Sequence, residues 1–275
     1  MVNILVPIDF SDLSRVAVQY AVKIANKLGG NVTLLHVVNI TQTVRATMRL
    51  KVKSLERDLI RGAKEDMDDL LKEVSKHVKT SQPIKYKVVR GASFNETVRR
   101  SARRLRSGLI IMGTKGAGGL KKVVMGSNTT SIIEVSHIPV LAVPAHAQFK
   151  SIRNIVYACD LKNLEKELKK LIPYVEKFGC TVHILHIVSS GRDVETTEEK
   201  IEKIVQKLGY DNIVALVLVD QNIDGAIDQY IDVSKADMLA MFTHDLNFYE
   251  KLFDRSYTRR MAFHSKIPLL AFKGN

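Results

Sequence analysis

The residues best suited to chemistry lie at positions 113 to 127, GTKGAGGLKKVVMGS, where five glycines and three lysines stand without an acid. Glycine lets backbone amides approach a ligand with no Cβ in the way, and it permits positive φ. Lysine adds positive charge. Such a segment suits an anion, phosphate above all. It suits one best where it leads into a helix, whose unpaired N-terminal N–H groups carry partial positive charge. Two familiar phosphate patterns do not fit. The pattern G-x-x-x-x-G-K-[ST] is absent, and a dinucleotide pattern begun by Gly116 and Gly118 meets Lys121 where its third glycine belongs. What the chain does carry is Gly113 and Gly116, nine residues, then Gly126 and Ser127. A second stretch of equal length, FTHDLNFYEKLFDRS at 242 to 256, ends on the same serine but has no glycine. Phe242, Asp245 and Arg255 stand there in place of Gly113, Gly116 and Gly126.

The two stretches belong to a longer repeat. NILVPID (Asn3 to Asp9) is echoed by NIVYACD (Asn154 to Asp160), VTLLHVV (Val32 to Val38) by VHILHIV (Val182 to Val188), and SHIPVLAV (Ser136 to Val143) by SKIPLLAF (Ser265 to Phe272). Three anchors in one order mark two homologous halves. The seam falls near PAHAQFK (Pro144 to Lys150), giving domains at 1–146 and 147–275.

Each half alternates short apolar runs with longer amphipathic ones. In the first half the strands are NILVPI, VTLLHVV, IKYKVV, GLIIMG and PVLAV. Between them come helices from Ser11 or Asp12 to about Leu28, from about Thr41 to Lys79, over NETVRRSARRL (Asn95 to Leu105), and over SNTTSIIEV (Ser127 to Val135). Gly29 and Gly30 stop the first helix. The second half repeats this order with a shorter second helix, about Val194 to Leu208. Strands this apolar have no wet face, so the fold class is α/β, with a doubly wound parallel sheet in each of two tandem domains. In such sheets ligands bind beyond the carboxyl ends of the strands where their order reverses. There the first strand ends at Asp9 and the fourth at Gly113.

Composition bounds the partners. Of 275 residues, 45% are hydrophobic and 26% charged, which is ordinary for a globular chain. No apolar run reaches the length of a membrane span, and MVNILVPIDF reads as a core strand rather than an export signal. Two cysteines, Cys159 and Cys180, make no disulfide framework and read as reduced, buried thiols of a cytoplasmic protein. The net charge of +13 is uneven: residues 1–150 carry +14 and the remainder −1. A basic half points to a polyanionic partner. The densest cluster, VRRSARRLR (Val98 to Arg106), has helical spacing around Val98, Ala102 and Leu105, the look of a packed helix's wet face. Aromatics are sparse there, so stacking platforms for single strands are missing. No membrane is expected as a partner, and nucleic acid is not the expected one.

Catalytic and metal sites find little support. His36 and His186 hold equivalent strand positions and read as core residues, and His183 and His186, three apart on a strand, point to opposite faces. No H-E-x-x-H, paired-cysteine or G-x-S-x-G motif appears. Asp9 is the one carboxylate near the glycine loop, and it has a structural role at the start of the first helix.

The glycine pattern, with ILVPIDFS (Ile4 to Ser11), LLHVV, RGASFNETV (Arg90 to Val98) and SHIPVLAV, resembles the universal stress protein family, strongly over the first half and by strand pattern over the second. The resemblance implies the universal stress protein fold, of the adenine nucleotide alpha hydrolase-like kind. Its closing strands are expected to pair within the chain as a pseudo-dimer, and a homodimer of the two-domain chain is a further expectation. It implies ATP or a related adenine nucleotide as ligand, with any Mg²⁺ held by the triphosphate. Pro7, Ile8, Asp9 and Ser11 would then lie along the adenosine, with Val37 beside the adenine and Met112 and Gly113 as the floor. Lys115, Gly116, Gly126, Ser127 and Asn128 would hold the phosphates. A phenylalanine at 242 and a carboxylate at Asp245 leave the second half a non-binding partner. The implied role is a nucleotide-dependent stress regulator acting through an unidentified signalling partner. The rival readings are a slow ATPase or phosphotransfer enzyme, and a nucleic-acid module using the basic half.

Overall fold

The computed structural model describes residues 2–39, 49–77, 82–114, 126–191, 194–243 and 267–274. They divide into two compact units, with the chain passing from the first to the second between Ala145 and His146.

The first unit has strands β1 (Asn3–Ile8), β2 (Asn31–Val38), β3 (Lys85–Arg90), β4 (Leu109–Gly113) and β5 (Val140–Val143). Helices α1 (Asp12–Leu28), α2 (Arg49–His77), α3 (Phe94–Arg104) and α4 (Ser127–Val135) connect them. The strands are parallel, in the order β3-β2-β1-β4-β5. Strand order reverses between β1 and β4, so right-handed crossovers place α1 and α2 on one face of the sheet and α3 and α4 on the other. The central strands are dry: Ile4, Leu5 and Val6 of β1 and Leu109, Ile110 and Ile111 of β4 are all at most 2% exposed. Helix α1 buries Ala17, Val18, Ala21, Ile24 and Ala25 against them, the spacing of one helical face. It stops at Gly29, whose φ of 63° is the left-handed cap that glycine adopts freely. Helix α3 starts one residue before its expected position, at Phe94, because the Ser93 hydroxyl accepts from the Glu96 amide at 3.4 Å and sets the cap.

The second unit has β6 (Asn154–Ala158), β7 (Thr181–Val188), β8 (Ile213–Val219), β9 (Met238–Thr243) and β10 (Leu269–Lys273). Its helices are α5 (Leu164–Phe178), α6 (Val194–Val205) and α7 (Ile223–Ser234). Its parallel order, β10-β9-β6-β7-β8, repeats that of the first unit. Helix α5 ends on Gly179 at φ 64°, the match of Gly29. Among the described residues no helix is long and apolar enough to cross a membrane.

Candidate functional site

The carboxyl ends of β1 and β4 form the base of the site. Pro7 and Ile8 are buried at the end of β1. The chain then turns sharply: Phe10 adopts φ 64°, uncommon for a residue with a side chain. Asp9 makes the turn possible. Its Oδ1 accepts from the Ser11 amide at 3.1 Å and the Ser11 hydroxyl at 2.6 Å. Ser11 Oγ in turn accepts from the Ser14 amide at 3.3 Å and caps α1. Burial pushes the Asp9 carboxyl up, but the hydrogen bonds from Ser11, with a further one from Ser14, outweigh it and hold the group below the ordinary aspartate range. From β2, His36 Nδ1–H donates to the Ile8 carbonyl at 3.0 Å, and its ring lies 4.7 Å from that of Phe10. His36 therefore braces the end of β1. Val37, half-buried, follows it on β2.

Across from this turn, β4 ends at Met112, 5% exposed, and Gly113. A Cβ at Gly113 would lie 2.8 Å from the Leu13 carbonyl oxygen and 3.1 Å from Leu13 Cβ. The first turn of α1 packs on the strand end so closely that only glycine fits, whatever else binds there. The Thr129 hydroxyl donates to the Gly113 carbonyl at 2.9 Å and ties the first turn of α4 to the same strand end. Thr114 donates its amide to Val143 at 2.9 Å, while its hydroxyl is buried and has no hydrogen-bond partner among the described residues. A buried hydroxyl without a partner carries a desolvation cost that a ligand oxygen would relieve.

Helix α4 begins at Gly126, whose φ of −67° and ψ of 148° are those of an N-cap. It has no side-chain cap and no acid in its first turn. Ser127 and Asn128 are exposed on that turn. An uncapped helix start without a carboxylate suits an anion. The structure thus brings Pro7, Ile8, Asp9, Ser11, Met112, Gly113, Gly126, Ser127 and Asn128 to one end of the β1–β4 pair. Lys115 and Gly116 lie outside the described residues. The residues present fit a phosphate-bearing ligand on one ground: the start of α4, with no side-chain cap and no acid in its first turn. Thr114 was not singled out in the sequence, although its place directly after Gly113 was a usable signal. Among the described residues no group of three or more His, Cys, Asp or Glu could hold a metal ion.

The second unit keeps the turn and sets a phenylalanine where the first has Gly113. Asp160 Oδ1 accepts from the Lys162 amide at 3.0 Å, Leu161 takes φ 64°, and His186 Nδ1–H donates to the Cys159 carbonyl at 2.9 Å. At the position of Gly113 stands Phe242, 5% exposed. Its ring stacks on Phe272 at 4.6 Å and meets Tyr157 edge-on at 5.7 Å. Tyr174 closes on Phe272 at 5.8 Å, and Lys170 Nζ is 6.0 Å from the Phe242 ring centre. The Tyr157 hydroxyl donates to the buried Glu167. Helix α5 begins at Leu164, four residues after Asp160, where α1 begins three after Asp9. Asp245, Arg255 and Ser256 lie outside the described residues. Burial pushes the Cys159 thiol up, and the Cys180 thiol up to about 12, so both stay protonated at neutral pH.

The universal stress protein family model matches residues 1–144. Universal stress protein MJ0531 of Methanocaldococcus jannaschii is 30% identical over 142 residues, 51% of this chain and 81% of that protein. Universal stress protein Slr1230 of Synechocystis is 24% identical over 99% of this chain and all of its own length. Among solved structures, a universal stress protein from Archaeoglobus fulgidus aligns with a TM-score of 0.72 at 18% identity, covering 98% of both chains, and so shares the fold. With the family model spanning more than half of its residues, the chain belongs to the universal stress protein family.

Proposed function

We propose that the first unit, up to about residue 146, binds ATP or a closely related adenine nucleotide and that the chain works as a nucleotide-dependent stress regulator in the cytoplasm. The observation that carries this reading is the start of α4. A helix without a side-chain cap or an acid in its first turn starts at the strand-order reversal, tied by Thr129 to the Gly113 carbonyl at 2.9 Å. Gly126, Ser127 and Asn128 would present amides and hydroxyl to phosphate, with Lys115 and Gly116 from the loop. Pro7, Ile8, Asp9 and Val37 would border the adenosine over the floor of Met112 and Gly113. Mg²⁺, when carried by the triphosphate, would neutralise phosphate charge. Ser11 is already committed as the cap of α1, so its contribution is to hold Asp9 in place.

Regulation is favoured over metabolic catalysis because the nearby acid–base groups are engaged in structure. Asp9 accepts two hydrogen bonds from Ser11 and is held toward its charged form, which makes it a weak base. His36 spends Nδ1 on a backbone carbonyl. The second unit, from about residue 147, is read as non-binding, since Phe242, Asp245 and Arg255 stand there for Gly113, Gly116 and Gly126. Calorimetric titration with ATP, ADP and AMP tests the reading. Micromolar binding, about −8 kcal/mol, that weakens as phosphates are removed supports it, and equal affinity for all three would place the recognition elsewhere than at α4.

A further inference from the structure

The arginine cluster of the first unit has no role in the nucleotide site. Helix α3 buries Thr97, Val98 and Ala102 and turns Arg100, Arg103 and Arg104 to solvent, with Arg99 half-exposed beside them and Arg106 exposed just past the helix. On the neighbouring edge strand, Tyr86 faces Asp68 of α2, whose carboxylate pushes the tyrosine hydroxyl above its ordinary range. Side chains alternate along a strand, so Lys85 and Lys87 point to the opposite face, the one that carries α3. Both are exposed. None of these arginines and lysines enters an ion pair among the described residues. The acids on this layer are Glu96 at the start of α3 and Glu134 on α4.

The second unit shows that the fold does not need this charge. The positions of Arg99, Arg100, Arg103 and Arg104 are held on α7 by Asp228, Gln229, Asp232 and Val233, and those of Lys85 and Lys87 on β8 by Val214 and Leu216. The basic layer is therefore a property added to one copy of a common frame.

We propose that the face formed by α3 and the outward side of β3 binds the phosphate backbone of a nucleic-acid duplex. The guanidinium fork matches phosphate oxygens two at a time. Arg99 and Arg103, like Arg100 and Arg104, are four residues apart, a rise of about 6 Å along a helix. The cluster is thus two short rows of evenly spaced donors suited to a regularly charged polymer. No large hydrophobic side chain is exposed on α3 or β3, and a membrane-surface helix needs such residues to insert. Aromatic platforms, which single-strand binders use for stacking, are missing from the face, since Tyr86 turns to α2.

The test measures anisotropy of labelled 20-base-pair DNA and RNA duplexes of mixed sequence over a salt series, beside the matching single strand, phosphatidylserine vesicles and polyglutamate. One of the two duplexes should bind at low salt, with a log–log salt slope of about −4.5 to −6.3 if five to seven phosphates are neutralised. Replacing Arg99, Arg100, Arg103 and Arg104 together with Gln should flatten that slope by roughly 3 to 4. A separate Lys85→Gln, Lys87→Gln variant should flatten it by roughly 2, and circular dichroism checks that each variant is folded. Absence of duplex binding at low salt, an unchanged slope in both folded variants, or binding to single strands, vesicles or polyglutamate as tight as to the duplexes would overturn the proposal.

Discussion

After its first strand, each unit makes the same turn. An aspartate accepts from the amide two residues on, the residue between takes φ 64°, and a histidine from the second strand donates to the carbonyl just before the aspartate. The two units part at the end of the neighbouring strand. In the first, Gly113 lets α1 close to van der Waals range, and the hydroxyl of Thr114 has no partner among the described residues. In the second, α5 starts later and Phe242 joins Tyr157, Phe272 and Tyr174 in a stacked cluster. One frame thus takes two residues at one strand end: a glycine against which the first turn of α1 packs, or a phenylalanine that joins a ring cluster. The turn belongs to the frame, and the residue at the end of β4 or β9 decides what packs against that strand end.

The largest expected effect comes from carrying the second unit's chemistry into the first. Gly116→Asp copies Asp245 and sets a carboxylate against phosphate. Losing two charge-assisted contacts, about 1.5–3 kcal/mol each, should move ATP affinity from micromolar toward millimolar. Unchanged affinity in a titration of this variant would remove the loop from the site.

The reverse experiment opens the filled copy. Phe242→Ala removes a buried ring from the aromatic cluster and should cost about 3–5 kcal/mol of stability, read as a lower denaturant midpoint. A loss below about 1 kcal/mol would mean the ring is not a packing element.

Smaller effects separate the turn from the ligand. Ser11→Ala removes the cap of α1 and should cost about 1 kcal/mol, with a lower melting temperature as the readout. Thr114→Val replaces the unpartnered hydroxyl with a methyl of similar shape. It should leave stability unchanged or raise it by about 1 kcal/mol while weakening ATP binding several-fold. A stability loss would show that the hydroxyl already has a protein partner. Acid adds a mild test. The Asp9 carboxyl lies below its ordinary value in the folded protein, so its stabilisation is present above the ordinary aspartate range of about 3.9 and fades as pH falls through the lower folded value. The stability difference between the wild type and Asp9→Asn should therefore shrink as pH drops below about 4. A difference that holds constant down to pH 2 would show that the Asp9 charge contributes nothing.

Much of the frame was legible because its signals are local or periodic. The apolar runs named all five strands of the first unit, their echoes gave β6, β7 and β10 of the second, SNTTSIIEV gave α4 with both its ends, and Gly29 gave the stop of α1. The repeat made each reading in one half a check on the other. What stayed hidden depends on contacts distant in sequence. Gly113 looks like a loop glycine, and its need to be glycine comes from the Leu13 carbonyl, a hundred residues earlier. Phe242 was readable as an obstacle, but its partners Tyr157, Tyr174 and Phe272 sit on separate elements. Ser11 was legible as a cap and as a site residue alike. Its bonds to Asp9 and to the Ser14 amide show the cap, and no spacing rule could have apportioned the two roles.

The difference between the two units is tested most directly by the stoichiometry of ATP binding to the whole chain, measured by calorimetry with the protein concentration fixed independently. The account predicts one nucleotide per chain, retained in Phe242→Ala if that variant stays folded and lost in Gly116→Asp. A stoichiometry of two, or a single site that survives Gly116→Asp, would contradict it.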